Sequence, residues 1–410
     1  MLRGKKCGVL IIGTKGAVAT TLIIASLAAR KKLGFDFRSP TTTHPVFSTL
    51  QLLDLTNMTF GGWDISSKSY LESAYEHKVV PTHVVKELSE ELAQLPAYTA
   101  VVAKATQALE DIISNNLTSD RDRILEYSQT VFSNRPLEDM VKSVQLDIVD
   151  FKERFDLESI VVVNLASVEE PLVNPSVFNS LESLRALISG NSPSVTDAIL
   201  YAYAALDAGC SYINFTPSVS GELPALMELA TLKKVCISGK DGKSGQTLYK
   251  TVLAPMLRDR ALRLKGWYST NILGNRDGLV LNNPDNVASK IQTKSGVLSS
   301  ILGYDDFDHQ VHIHYYKPRG DSKEAWDNID FSGWFDVQMQ MKINWLGDDS
   351  ILAAPLVFDL IRLVSFSGSE GEYGVLPQLA VFYKKPYEVD EHDFFEQMRI
   401  LIDHYRQYVI

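Results

Sequence analysis

Residues Cys7-Gly-Val-Leu-Ile-Ile-Gly13 decide the fold that we expect for the chain. The run is short, apolar and rich in β-branched residues, which is typical of a strand buried on both faces of a parallel sheet. Gly13 and Gly16 then form a turn. The segment Ala17–Leu33 is rich in Ala and Leu and carries basic residues near its end, as the helix dipole favours. The stretch therefore predicts a strand, a glycine turn and a helix in succession.

This succession is also how dinucleotide-binding units begin. The turn, Gly13-x-x-Gly16, is looser than the full Gly-x-Gly-x-x-Gly pattern, so an ordinary strand-to-helix turn explains it equally well. The turn residues that we assign to a cofactor are Gly13, Thr14, Lys15, Gly16 and Ala17. A second predicted strand, Met58–Ile65, would bring Asp64 to the adenosine ribose, provided that the long connection 34–57 is an insertion.

Further short apolar runs alternate with helical segments up to residue 240. The strand-like runs are Ile160–Leu165, Tyr212–Phe215 and Val235–Ser238. The helix Val195–Ala208 is expected to start from Ser192-Pro193-Ser194. Alternation of this kind predicts an α/β fold with a doubly wound, Rossmann-like parallel sheet. Because ligands bind at the carboxyl ends of such strands, further cofactor candidates are Asn164, Thr216 and Pro217.

The last of these strands leads into Gly239-Lys-Asp-Gly-Lys-Ser-Gly-Gln-Thr247. Three glycines let the backbone turn so that several N–H groups face one point, and lysines and hydroxyls add donors, which suits a phosphate. A solvated turn is the alternative, and Lys243 is either a phosphate ligand or a solvent-facing neighbour of Ser244. A nucleotide P-loop is excluded, because that pattern needs a glycine where Ile237 stands. A helical run, Leu248–Leu264, follows, and Pro255 is expected to kink or restart it.

The sequence pattern changes after residue 265. Strand-like stretches at 266–272, 309–317 and 334–345, some of them alternating, predict an antiparallel sheet with one polar face. Two apolar helices, Ala353–Ser365 and 393–408, are expected to pack back on the first domain. The prediction is a domain made of residues 1–240 and 352–410, with an α+β domain, 241–351, inserted into it.

Composition limits the possible partners. The chain has 410 residues, a net charge of −10 and only three, scattered cysteines. An acidic balance disfavours nucleic acid as a partner, and unpaired cysteines favour a reducing compartment, here the cytoplasm. No apolar segment is expected to reach the length of about 18 residues that a membrane span needs, so we predict no membrane partner.

Several polar motifs follow the glycine-rich loop. Two of them are the turn around Asn275 and Asp277 and the i, i+4 pair Lys290 and Lys294. Crowded ammonium groups lower each other's pKa and can transfer protons, although a solvated stripe would show the same spacing. His312 and His314 face one side of a strand, where an exposed face is favoured over a metal site, so we assign no metal ligand.

The combination of motifs resembles the myo-inositol-1-phosphate synthase family. The similarity follows the family's order over most of the chain. The matching segments include Phe60–Ile65, Tyr212–Ser218, Gly239–Thr247, Leu273–Gly278, Ser289–Ser295, Lys317–Lys323, Asp349–Leu356 and Tyr383–Pro386. The glycine turn departs from the richer Gly-x-Gly-Gly-x-x-Gly form of the family.

The resemblance implies an NAD-dependent isomerase that converts D-glucose 6-phosphate to 1D-myo-inositol 3-phosphate, the first step of inositol biosynthesis. It implies oxidation at C5, enolisation at C6, attack on the C1 aldehyde and reduction of the C5 ketone. It also implies a homotetramer assembled through the second domain, and a monovalent or divalent cation in some members. The alternatives are an ordinary two-domain NAD(P)-dependent dehydrogenase and a catalytically silent sensor of NAD or sugar phosphate.

The resemblance also assigns roles to residues. The substrate-binding residues would be Ser244, Gly245, Gln246, Thr247, Asn271, Lys290, Lys294 and Lys323, of which the first four hold the phosphate. Lys290 and Lys384 would exchange the C5 hydroxyl proton, and Lys294 and Lys323 would stabilise oxygen charge at C1 or C5. The carboxylates that orient these ammonium groups would be Asp241, Asp321 and Asp349, and Asn275 and Asp277 would contact the cofactor.

Overall fold

A computed structural model describes residues 6–103, 135–274 and 296–409 of the chain. Within these residues the chain forms two sheets with helices around them. Four of the predicted site residues, Asn275, Asp277, Lys290 and Lys294, lie outside the described residues.

The first sheet is a seven-stranded parallel sheet. In chain order its strands are β1 Cys7–Ile12, β2 Met58–Asp64, β3 Ala97–Thr99, β4 Ser159–Asn164, β5 Ser211–Asn214, β6 Cys236–Gly239 and β11 Gly374–Val375. The spatial order is β11-β6-β5-β4-β1-β2-β3, and every neighbouring pair is parallel. This order, with its reversal at β1, is that of doubly wound dinucleotide-binding folds, and it confirms the predicted fold class.

Helices cover both faces of this sheet. They are α1 Ala17–Arg30, α2 Pro40–Thr43, α3 Pro45–Ser48, α4 Tyr70–His77, α5 Thr82–Glu87, α6 Ser89–Gln94, α7 Leu137–Arg154, α8 Leu181–Ser189, α9 Asp197–Asp207, α10 Pro224–Lys233, α12 Asp349–Ser369 and α13 Phe394–Arg406, whereas α11 Gln246–Asp259 packs on the second sheet. On β1, Val9 and Ile11 pack in the core that contains α1 and α12, whereas Leu10 and Ile12 pack in the core that contains α7 and α9. Burial of both faces explains why β1 is apolar without alternation.

The long connection 34–57 forms α2, α3 and a short 3₁₀ turn, all outside the sheet. It is held on α12 by the buried Asp359 carboxylate, which accepts from Ser39 Oγ at 2.5 Å and from Thr41 N at 3.1 Å. β2 therefore lies directly beside β1 despite the length of the connection, which meets the condition that we set for Asp64.

The second sheet has the order β10-β9-β7-β8. Its strands are β7 Arg263–Leu273, β8 Asp308–Tyr315, β9 Ser322–Ser332 and β10 Gln338–Asp348. The predicted antiparallel pairing is confirmed for β9 with β7 and with β10. It is wrong for β8, which is parallel to β7, with helical residues 296–302 between them in sequence. The strand β9 was missed. A polar residue, Asp327, occupies an inward position and interrupts the apolar alternation.

Three predicted boundaries are also wrong. α9 begins at Asp197, five residues beyond Ser192, and the carboxylate of Glu169 accepts from its Ala198 N at 2.7 Å. α11 runs unbroken through Pro255 and ends at Asp259. The stretch 334–337 precedes β10 instead of belonging to it, since Phe335 has a left-handed φ of 60°.

By length and composition alone, α12 is a helix that could cross a membrane, so the expectation that no apolar segment reaches that length is wrong. Most of the helix is buried within the protein. It packs with α1 and the first sheet in one core, where Leu360, Ile361 and Val364 are fully buried. The apolar composition is therefore that of a core helix.

Candidate active site

The glycine-rich loop links β6 to α11 and so lies at the carboxyl edge of the first sheet. α11 begins at Gln246 after Gly245, and in the described part of the chain no side chain caps this end. The first N–H groups of the helix and its dipole thus remain available to an anion. The position suits a phosphate group, as the loop composition predicts.

Two of the loop glycines serve close packing and not a turn. A Cβ at Gly239 would lie 2.5 Å from the Tyr387 ring, and one at Gly242 would lie 2.1 Å from the Phe215 ring. The residue of the loop with a positive φ is Asp241, at 62°. The expectation that the glycines turn the backbone is therefore wrong for these two positions.

The loop pairs with a segment near the C-terminus, and this pairing brings Lys384 to the site. Lys384 N donates to Asp241 O at 2.7 Å, and Lys240 N donates to Lys385 O at 3.0 Å. The Lys384 ammonium donates to the Asp241 carboxylate at 2.6 Å. Residues that are 143 positions apart in sequence thus form one ion pair, with Asp241 orienting the ammonium group.

A second lysine approaches from the second sheet. Lys323, at the start of β9, places its Nζ 3.8 Å from the Asp349 carboxylate. A Cβ added to Gly245 would lie 3.1 Å from the same Nζ, so a larger residue would crowd it. Ser244 Oγ donates to Asp349 at 3.1 Å. Lys323, Asp349 and the N-terminus of α11 therefore converge on one point.

Asp321 differs from the other two predicted carboxylates. Its two oxygens accept from Ser350 N at 3.1 Å and from Ser350 Oγ at 3.0 Å, at the N-terminus of α12. Burial and the neighbouring Asp349 and Asp348 carboxylates raise the pKa of Asp321. These contacts make it an anchor for the helix that carries Asp349, and they do not direct it at an ammonium group.

Lys243 adopts neither of the two positions expected for it. Its side chain is buried, and Nζ donates to Gln397 Oε1 of α13 at 2.6 Å. Burial lowers the pKa of Lys243 to about 7. This lysine thereby ties the loop to the C-terminal helix, and it is not among the residues that line the cleft described below.

Below the loop, the predicted phosphate residue Gln246 has both ends of its side chain engaged. Its Nε2 donates to the Asp327 carboxylate at 3.0 Å, and its Oε1 accepts from Asn271 Nδ2 at 2.7 Å. All three residues are buried. Any contact of Gln246 with a phosphate would therefore come from its backbone N–H. Thr247, the next residue of the helix, is buried as well.

The glycine turn that follows β1 is held in place mainly by contacts with β2 and α4. Lys15 N donates to Asp64 Oδ2 at 2.8 Å, Lys15 Nζ donates to Ser66 O at 2.5 Å, and the His77 ring contacts Lys15 O at 2.8 Å. Thr14 is fully buried, and its hydroxyl lies 2.9 Å from the Tyr70 hydroxyl. Burial lowers the pKa of Lys15 against the opposing effect of Asp64.

The remaining predicted edge residues lie where β4 and β5 end. Asn164 Oδ1 accepts from Ala166 N at 3.1 Å, and Thr216 Oγ1 donates to Asn214 Oδ1 at 3.0 Å. Asp241 N donates to Thr216 O at 3.0 Å, which joins this edge to the glycine-rich loop. Pro217 lines the cleft described next.

A cleft of about 220 Å³ lies between this sheet edge and the second sheet. Of the predicted residues, those that line it are Pro217, Asp241, Gly245, Gln246, Thr247, Asn271, Lys323 and Lys384. Lys240 and Lys385 also line it and were not predicted as site residues. Burial and the neighbouring Lys240 ammonium lower the pKa of Lys385. The lining thus carries four lysines together with the carboxylates of Glu169, Glu170 and Asp241. Ammonium groups gathered at one cleft can bind an anionic substrate.

Among the described residues, no group of three or more His, Cys, Asp or Glu side chains could hold a metal ion. The rings of His312 and His314 stack 6.4 Å apart on one side of β8. The two residues do share a face, as their spacing predicts.

Comparison with known proteins identifies the family. The model of the myo-inositol-1-phosphate synthase family matches residues 32–406. The chain belongs to this family. It is 36% identical to inositol-3-phosphate synthase 1 of Bacteroides thetaiotaomicron over 97% of this chain and 94% of that protein. It is 27% identical to the Saccharomyces cerevisiae inositol-3-phosphate synthase over 88% of this chain and 74% of that protein.

Solved structures show the same fold. The inositol-3-phosphate synthase of Caenorhabditis elegans superposes with a TM-score of 0.86 over 99% of this chain and 86% of that chain, at 23% identity. A myo-inositol-1-phosphate synthase-related protein of Thermotoga maritima gives 0.73 over 97% of this chain and 98% of that chain, at 24% identity.

NAD is the cofactor of the family, and the glycine turn fits it. α1 begins after Gly16, and in the described part of the chain its N-terminus has no side-chain cap, so its N–H groups can receive a pyrophosphate. Gly13 has a φ of 79°, and a Cβ there would lie 3.1 Å from the Ala166 backbone. The Asp64 carboxylate lies beside the turn, where an adenosine ribose is held in related folds.

Sequence reasoning missed Asp327, Lys240 and Lys385. The Lys240 ammonium forms an ion pair with Glu222, which no local spacing reveals. Lys385 adjoins a predicted residue, so proximity alone could have suggested it. Asp327 could have been found only by recognising β9, because Asp327, Asn328 and Asp330 stand close together in the sequence and such residues otherwise indicate a loop.

Proposed function

We propose that the chain is an NAD-dependent inositol-3-phosphate synthase acting on D-glucose 6-phosphate. The observation that carries this proposal is the meeting of two features in one cleft. A phosphate-type helix N-terminus with Lys323 lies in the same cleft as the Asp241–Lys384 pair, at the edge of a dinucleotide-binding sheet. Such a cleft can hold one end of a flexible sugar phosphate and exchange a proton at the other.

The substrate phosphate would bind the backbone N–H groups of Ser244, Gly245, Gln246 and Thr247, with the Lys323 ammonium beside it. A dianion gains both from the helix dipole and from charge-assisted hydrogen bonds there. Asp349, which accepts from the Ser244 hydroxyl and lies near the Lys323 ammonium group, would hold the loop and this ammonium group beside the phosphate.

Lys384, as the neutral amine, would take up the C5 hydroxyl proton when the hydride leaves C5 and return it when C5 is reduced. Asp241 would hold the ammonium group that exists between these two steps. NAD held at the glycine turn would supply the hydride acceptor and donor at C5. Lys290 and Lys294 are proposed to share in proton exchange and in stabilising oxygen charge, and Asn275 and Asp277 are proposed to contact the cofactor. These four residues lie outside the described residues.

We also propose the division into a nucleotide-binding domain, 1–240 with 352–410, and an inserted catalytic domain, 241–351. The start of α12 at Asp349 supports moving the second junction to Asp348, since a boundary after residue 351 would cut a helix.

A homotetramer is proposed as well, with exposed aromatic residues on the second sheet as its support. The buried, unpaired Cys7, Cys210 and Cys236 support a cytoplasmic location.

The test is incubation of the purified protein with glucose 6-phosphate and NAD⁺. Inositol phosphate should form while NADH does not accumulate, because the hydride returns to the sugar. Steady accumulation of NADH would instead identify an ordinary dehydrogenase. Binding of both ligands without any product would identify a sensor.

A further inference from the structure

Asp327 lies on the inward face of β9, beneath the cleft, and is buried. Its Oδ1 accepts from Trp267 Nε1 and Ser269 Oγ, each at 2.7 Å. Gln246 Nε2 lies 3.0 Å from both of its oxygens. One buried carboxylate therefore receives three donors, and the one from Gln246 belongs to the first residue of α11.

These contacts fix the orientation of two amide side chains in series. A carboxylate only accepts, so Gln246 must turn its NH₂ group toward Asp327. Its Oε1 then faces Asn271, which must turn its own NH₂ group toward Gln246 and does so at 2.7 Å. The last group of the series, Asn271 Oδ1, is left as an acceptor.

Asn271 lines the cleft, and its Oδ1 is buried without a hydrogen-bond partner among the described residues. A buried acceptor without a donor destabilises the protein, so a ligand that supplies the donor gains affinity. A phosphate oxygen cannot supply it at neutral pH, since it would be a second acceptor. A hydroxyl group can.

We propose that Asp327 is a positioning residue which, through the Gln246 amide, presents Asn271 Oδ1 as the acceptor for a hydroxyl group of the sugar phosphate. The inference rests on the proposed function for the identity of the sugar. It separates two tasks in the cleft. The N-terminus of α11 receives the phosphate, and Asn271 selects a carbon chain that carries a hydroxyl at the matching position.

The substitution Asp327→Asn tests the orientation directly. The amide that it introduces can keep its oxygen toward Trp267 and Ser269 and place its NH₂ group toward Gln246. The Gln246 amide would then exchange the positions of its oxygen and its NH₂ group, and the Asn271 amide would do the same in response. Asn271 would then present an NH₂ donor to the cleft in place of its Oδ1 acceptor. We expect kcat/KM for glucose 6-phosphate to fall about tenfold to a hundredfold, the range for one hydrogen bond. Competitive inhibition by inorganic phosphate should stay within about twofold. An unchanged kcat/KM would overturn the proposal.

A second substitution, Asn271→Asp, should restore the acceptor. With Gln246 turned over, the new carboxylate can accept from it with one oxygen and offer the other to the cleft. The double variant Asp327→Asn/Asn271→Asp should therefore be more active than either single variant. A purely structural role for Asp327 predicts that the two losses add, and that result would contradict the inference.

Asp147→Asn is the matched control, because this aspartate also accepts from a buried indole, Trp63 Nε1, at 2.8 Å, but lies on α7, outside the cleft lining. It should leave kcat/KM unchanged.

Neutron diffraction from wild-type crystals reads the amide orientation without any turnover. Deuterium on the Gln246 nitrogen facing Asp327, and on the Asn271 nitrogen facing Gln246, supports the inference even if the protein makes no inositol phosphate, which would refute the proposed function alone. Active enzyme with Asn271 in the opposite orientation would refute the inference alone.

Discussion

At the scale of single residues, the Lys384–Asp241 ion pair gives the most direct structural support for the proposed proton transfer. Their 2.6 Å contact arises because the segment that carries Lys384 pairs with the glycine-rich loop. No spacing within the sequence indicates that contact. The family resemblance named both residues, and the fold supplies the physical reason why they act together.

Replacing Lys384 by Met should abolish most of the turnover while the protein stays folded. Loss of a positioned proton-transfer group typically lowers the rate about a hundredfold to ten-thousandfold. Asp241→Asn should have a similar effect, and the double variant should be little worse than either single one, because the two residues act as a unit. Rates of inositol phosphate formation give the comparison. Lys233→Met, at a surface lysine paired with Asp207, is the control that should keep full activity. Additive losses in the double variant would contradict the pairing.

Lys243 gives a prediction about pH. Its folded pKa of about 7 lies well below the ordinary value for lysine, so between pH 7 and the unfolded pKa the unfolded chain binds more protons. The free energy of unfolding attributable to Lys243 therefore rises with pH across this window. Relative to that of Lys243→Met, the free energy of unfolding of the wild type should increase by on the order of 3 kcal/mol between about pH 7 and about pH 10. Urea unfolding of both proteins at the two pH values measures the difference. Parallel pH profiles would show that burial does not lower the pKa of Lys243 in the folded protein.

At the scale of elements, the sequence predicted those with a strong local signal and missed those stabilised by distant contacts. β1 and β4 are buried on both faces, and their apolar runs could be recognised directly. β9 could not be, because Asp327 is buried by donors that come from α11 and β7. α11 continues through Pro255 since that residue is buried in the packed helix, whereas its local preference is to break one.

The packing of the glycine-rich loop is also decided by distant contacts that the local sequence could not predict. Its composition predicts a turning, anion-binding backbone, but Gly242 is a glycine because the Phe215 ring lies against it. Gly242→Ala should lower the free energy of unfolding by about 1–3 kcal/mol, the usual cost of overpacking. Adding Phe215→Leu should return part of that loss, as measured by urea unfolding of the single and double variants. If Phe215→Leu brought no recovery, the close contact would not be the cause.

At the scale of the whole molecule, the division of labour between the two sheets follows from their surfaces. The first sheet is covered on both faces, so its ligands can reach it only at the edge where the strands end. The inward face of the second sheet closes the cleft with Lys323 and Asn271, and Asp327 lies beneath them. The sequence predicted the first arrangement from alternating strands and helices. It could not predict which strand ends meet across the cleft, because that depends on how the inserted sheet packs.

The outward face of the second sheet gives the last prediction. Tyr268, Trp326 and Leu346 lie on this face and are 46%, 49% and 62% exposed, and large exposed apolar patches mark protein contact surfaces. A second copy of the chain is the occupant that we propose, because subunits related by twofold symmetry would present the same apolar residues to each other. Trp326→Glu would bury a charge in that contact, so its sedimentation velocity should show smaller particles than the proposed tetramer. Leu146→Glu, an equally polar change at an exposed position on α7, should leave the assembly intact. A tetramer that survives Trp326→Glu, or wild-type protein that sediments as a monomer, would place the contact elsewhere or remove it.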